Sequence, residues 1–286
     1  MPDIWVQFAI LLKFVLYISA LVGCGLVMCQ VVFARLMVGV ADRMHVSVVV
    51  FAVLAVFAAA FGFVLRGAML SGSAYGMIDP VLLTVLWQSS VGTALILQIV
   101  GLILLAVGQW LSPGLSAVGV AMTLWSFSTI GHASDAAFWW LRLLLFAHLG
   151  GAAFWLGVLI PLRALAIDPD MRAEAAQLGH SFGSVAMAVV PGLMLAGVML
   201  AWQLVGDLSA LIATGYGQAL LLKIALVGLL LTVAAMNKLR LVPHLRSGVT
   251  TGQPLAHAIT LEWITVAAIL FVTAALTTIF GAPGLA

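Results

Sequence analysis

The stretch Ser126–Gly157, SFSTIGHASDAAFWWLRLLLFAHLGGAAFWLG, decides how this chain is read. Two hydrophobic runs meet in it across one short polar turn, with His132 at the turn and His148 inside the second run. An imidazole within lipid is costly to keep unless it faces protein, water or a metal. Two of them at one end of neighbouring spans therefore call for an explanation. Ligation of a metal or haem is one reading; a hydrogen bond across a helix pair is the other.

Working outward, the 286 residues are 65% hydrophobic and 7% charged, with a mean hydropathy of +1.27. So much apolar surface does not fit inside a soluble core, and the composition predicts an all-α, polytopic transmembrane bundle. Each crossing needs about 20 apolar residues. Runs of that kind fall at about 5–30, 46–68, 82–108, 114–131, 138–161, 179–204, 217–240 and 256–280. The expectation is eight helices forming a single membrane domain over residues 1–286, with function inside the bundle or on its short loops.

The net charge of +2 includes no basic cluster of the kind that binds nucleic acid. Cys24 and Cys29 are too few and too close for a disulfide framework. The first run lacks a basic leader and reads as a span, not a signal peptide. Positive charge instead reports topology. Arg35, Arg43, Arg163, Arg172, Lys238, Arg240 and Arg246 belong to the odd-numbered connections, against Arg66 and Arg142 beside the even-numbered ones. The positive-inside rule places the odd connections in the cytoplasm and both termini in the periplasm.

That orientation puts His132 near the outer end of the fourth run. His148, six residues past Arg142, lies about 9 Å deeper. Asp135 and Arg142 share this mouth and read as a local ion pair. In the fifth run His148 and Trp155 differ by only about 20° around the axis and share a face. The sixth run carries His180, Met187, Pro191 and Met194 on one sector. Pro191 predicts a kink, and Met194, at a depth comparable with His148, is either a third metal ligand or a gap-filling side chain.

Other polar side chains mark the interior. The first run presents Lys13, Tyr17, Cys24 and Met28 within a sector about 60° wide. Soft thiol and thioether groups suit Cu(I), although buried Cys and Met more commonly serve packing. Thr84, Gln88, Gln98 and Gln109 form a polar seam on the third run, and Met69, Met77 and Asp79 lie in a loop that reads as a turn or a weak metal contact. The seventh run holds Tyr216, Lys223 and Asn237. Glu262 on the eighth is an intramembrane carboxylate, either a pathway residue or a partner for Asn237. Tyr17, Lys223, Asn237 and Glu262 are the pathway candidates.

Four segments taken together resemble the CopD family of copper resistance membrane proteins: GHA at Gly131–Ala133, HLGGAAFWLG from His148, YGQALLLK ending at Lys223, and AAMNKLRLVPHL ahead of Arg246. The chain differs from the family's usual pattern at His180-Ser181-Phe182 and Asn237-Lys238. The resemblance implies movement of copper, Cu(I) or Cu(II), across a bacterial inner membrane, commonly alongside a small periplasmic copper-binding protein, CopC. The residues themselves supply a place for it, with His132, His148 and Met194 as candidate ligands in the outer half.

Two other functions fit the sequence. Histidines from facing helices hold haem in membrane electron carriers, although no second pair sits at matching depth in the inner half. A non-transporting subunit that docks a periplasmic partner is the third reading. No nucleophile elbow, phosphate loop or zinc spacing accompanies the histidines, so no enzyme activity is expected.

Overall fold

The computed structural model describes residues 4–130, 139–205 and 209–279. Every secondary-structure element among them is helical. In chain order these are α1 (Ile4–Val32), α2 (Ala41–Ser71), α3 (Pro80–Gln88), α4 (Ser90–Leu111), α5 (Pro113–Ser126), α6 (Trp139–Ile167), α7 (Arg172–Val205), the single turn α8 (Ala210–Ala213), α9 (Gly215–Met236), α10 (Val242–Arg246) and α11 (Gln253–Ile279). Among the described residues, seven helices are long and apolar enough to cross a bilayer; they contain α1, α2, α4, α6, α7, α9 and α11.

α1 is the central post. It packs on α2, α6, α11 and α5, and its segment from Ser19 to Val27 is buried throughout. Two glycines permit the closest of these approaches. A Cβ on Gly25 would collide with the Ala153 carbonyl, and one on Gly157 would collide with the Gly25 backbone, so α1 and α6 meet main chain to main chain. Small residues take this role in bilayers because dispersion contacts, not expulsion of water, hold the helices together. α4 and α5 form a similar hairpin, with Gly101, Gly108 and Gly119 against the facing backbone.

Two of the expected runs differ from the structure. The third is interrupted at Ser89, whose ψ of 177° is extended and whose hydroxyl accepts from Val91 N at 3.1 Å. Ser89 therefore ends α3 and caps α4, and α4 alone has the length of a crossing. The fourth run is only the 14-residue α5 followed by a 3-10 turn, Phe127–Thr129. There the hydroxyls of Ser126, Ser128 and Thr129 each donate to a carbonyl three residues back, which tightens the chain out of α-helical geometry. The α-helix of α7, by contrast, continues through Pro191.

Candidate functional site

Polar side chains gather at three levels of this apolar bundle. Nearest the C-terminal end of α1, α6, α9 and α11 meet around Glu262. Glu262 as a whole is 3% exposed. Its Oε1 accepts from Asn237 Nδ2 at 2.6 Å and its Oε2 from Trp155 Nε1 at 3.2 Å. Asn237 opens a single π-helical turn, Asn237–Leu241, between α9 and α10. Such turns displace side chains from the regular helical face and recur at functional sites. The amide's other end, Oδ1, is buried and has no hydrogen-bond partner. Phe182 of α7 stands edge-on to the Trp155 ring at 6.1 Å, and the neighbouring Lys238 donates from Nζ to Gly183 O at 2.8 Å.

The second level holds His148. Its Nδ1 lies 3.2 Å from the carbonyl oxygen of Leu193 on α7. A carbonyl only accepts, so Nδ1 carries the hydrogen, and in the neutral form of the ring the lone pair is on Nε2. Gly197 makes room for the ring: a Cβ there would come within 3.3 Å of His148 Cε1. Lys223 of α9 is close enough to act on His148 electrostatically. Met194 follows Leu193 directly, and its side chain is 40% exposed. His132 lies outside the described residues, as does Asp135.

The third level ties α1 to α11 and α2. Lys13 Nζ donates to Thr277 O at 2.9 Å, Tyr17 Oη and Thr277 Oγ1 are 3.1 Å apart, and Arg66 lies within electrostatic reach of Lys13 and Tyr17. The Tyr17 ring packs edge-on against Phe127 at 5.6 Å. No acidic side chain among the described residues pairs with Lys13, Arg66 or Lys223. Lys13, Arg66 and Lys223 thus bring three basic side chains to the levels of Tyr17 and His148.

The structure joins Asn237 to Glu262 and brings Lys223 near His148, while Tyr17 belongs to a separate cluster. Trp155 went unnoticed as a partner for Glu262. The signal was an indole N–H inside a span, a donor that needs an acceptor when water is absent. His148 and Trp155 have different hydrogen-bond partners, the Leu193 carbonyl on α7 and the Glu262 carboxyl on α11. Cys24 and Cys29 are buried and unpaired, and the Cys29 thiol faces Phe154 O at 3.6 Å. Asp79 caps α3 by accepting from Val81 N and Leu82 N. No group of three or more His, Cys, Asp or Glu assembles among the described residues.

Comparison with known families extends this picture. Residues 1–139 match the model of the copper resistance protein D-like N-terminal domain, and residues 176–276 match that of copper resistance protein D. No curated protein and no solved structure matches the chain. The two matches follow one another along the sequence and together take in most of it, including Asn237 and Glu262 in the second and Tyr17 and Arg66 in the first. Seven long apolar helices fit the multi-pass inner-membrane character of that family. The chain belongs to the CopD family of copper resistance membrane proteins.

Proposed function

We propose that this protein moves copper across the bacterial inner membrane through an outer-half site centred on His148, with His132 and Met194 completing the ligand set. The observation that carries the reading is the bond from His148 Nδ1 to Leu193 O. Metal-binding histidines characteristically donate their second ring N–H to a carbonyl or carboxylate, which fixes the tautomer and aims the other nitrogen at the metal. Here that leaves Nε2, which takes no hydrogen bond among the described residues. Imidazole suits both copper oxidation states, and a thioether adds preference for Cu(I).

In this reading α5 and its 3-10 turn form the eighth crossing. Fourteen residues rise about 21 Å and the 3-10 turn adds about 6 Å, close to the roughly 30 Å hydrocarbon core. Eight crossings with the basic connections inside put both termini, the His148 level and the Lys13–Tyr17 cluster toward the periplasm. Arg66, and Lys13 and Lys223 when protonated, then repel a bare cation at the mouth. That favours delivery of copper already bound to a periplasmic carrier of the CopC type over capture of the free ion. Tyr17 and Lys223 line the approach, and Asn237 and Glu262 lie on the way to the cytoplasm.

Copper flux into proteoliposomes, measured separately with Cu(I) and Cu(II), tests the proposal. Flux that falls at least tenfold in His148→Ala supports it. Equal flux in wild type and variant contradicts it.

A further inference from the structure

Of nine acidic residues in the chain, Glu262 is the one that a described span carries well inside its length, ten residues into α11. Its surroundings are those of a carboxyl with no counter-ion. α6 contributes the Trp155 N–H, and α9 with its π-turn contributes the Asn237 amide. Of the charged groups on the packed elements, Lys223 of α9 lies at the His148 level and Arg240 of the π-turn is exposed. Lys238 bonds to Gly183 O, and Arg163 of α6 donates from Nε to Thr260 Oγ1 at 3.3 Å, two residues before Glu262 and so about 200° around the helix. α1 offers the buried thiols Cys24 and Cys29, while its Lys13 and Tyr17 bond to Thr277, four turns further along α11. His257 is on α11 itself and exposed.

A membrane-buried carboxylate held only by neutral donors carries a charge that nothing nearby cancels. Binding a proton removes it. Asn237 is suited to either state. Its Nδ2 donates to the carboxylate, and a half-turn of the amide would present Oδ1, buried and unpartnered in the structure, as acceptor for the O–H of the acid. The separation of 2.6 Å falls within the usual range for an O–H···O bond.

We propose that Glu262 is a reversible proton-binding site inside the membrane, with Asn237 as the positioning residue that accommodates both of its protonation states. One proton from solvent adds to a carboxylate oxygen, and no other bond is made or broken. The site stands on its own geometry and does not depend on the copper reading. It gives the inner half of the bundle a means of sensing or carrying protons.

Infrared difference spectroscopy of the full-length protein in lipid nanodiscs, across a pH series, reads the site directly. A carboxylic acid C=O band that appears on acidification in the wild type and is lost in Glu262→Gln is the expected result. Asn237→Leu should displace the frequency and midpoint of that band, whereas Thr273→Val, further along α11, should leave both unchanged. Circular dichroism and a monodisperse elution profile establish that each variant is folded. The proposal is overturned if the folded Glu262→Gln variant keeps the whole titrating band, or if the wild type has none. A band that titrates as expected in a protein without copper flux would uphold the proton site while refuting the permease reading.

Discussion

Asn237 Nδ2 and Glu262 Oε1, 2.6 Å apart, join α9 to α11 by a side-chain hydrogen bond inside the membrane, and the Trp155 indole closes the other side of the carboxyl. Truncating the acid leaves two buried donors unpaired and a small void. Glu262→Ala is therefore expected to lower stability by about 2–5 kcal/mol. Glu262→Gln preserves volume and an acceptor oxygen, and should cost about 1 kcal/mol or less. Unfolding in mixed micelles with increasing denaturing detergent measures both, and equal losses in the two variants would contradict the account.

The contact of Gly25 with Ala153 and Gly157 makes α1 and α6 intolerant of a single methyl. Gly25→Ala and Gly157→Ala should each destabilise by about 3 kcal/mol or more, because the added carbon meets backbone and not a flexible side-chain end. Gly62→Ala is the control, since a Cβ there has no neighbour within 4 Å. It should be neutral or slightly stabilising through helix propensity. The same unfolding assay separates these outcomes.

How much of this was legible beforehand depended on which force set each feature. The seven long spans were, since twenty apolar residues have few other places to go. The pairing of Asn237 with Glu262 was open to view as well, as two polar groups in successive spans of a bundle have few alternatives to each other. The break at Ser89 was not. Gln88, Ser89 and Ser90 include neither glycine nor proline, and the interruption depends on a serine hydroxyl capping the next helix. Spacing alone also left the partner of Trp155 open. Seven residues bring it under His148 on α6, and α7 faces both, but at Trp155 the indole N–H finds its acceptor on α11. His132 and its turn lie outside the described residues, so the first half of the opening pair stands as a sequence inference.

Gly197 is expected to matter to metal binding without touching metal. A methyl at that position would press on His148 Cε1 from 3.3 Å and shift the ring from the Leu193 carbonyl. Gly197→Ala should weaken copper binding about tenfold, the effect reported for disturbed outer-shell partners of metal-binding histidines, while leaving helicity unchanged. Copper titration of the purified variant against a competing chelator gives the affinity. An affinity equal to wild type would separate the Leu193 contact from ligation.

Cys24 and Cys29 are expected to be packing residues. Both are buried among the side chains of α1's neighbours, and Cys29 faces a main-chain carbonyl. Neither thiol should react with a maleimide in the folded protein, and both should label after denaturation. Cys24→Ala should retain copper binding within a factor of about two, well below the tenfold or larger change expected of a ligand. Rapid labelling in the folded state, or loss of copper in Cys24→Ala, would move the soft-metal site to the C-terminal half of α1.

The most direct test of the central claim is the copper stoichiometry of the purified full-length protein beside the His132→Ala, His148→Ala double variant, both shown by circular dichroism to be folded. The account predicts bound copper in the wild type and its loss in the double variant, with a partial loss in His148→Ala alone. Unchanged copper binding in the double variant would contradict it.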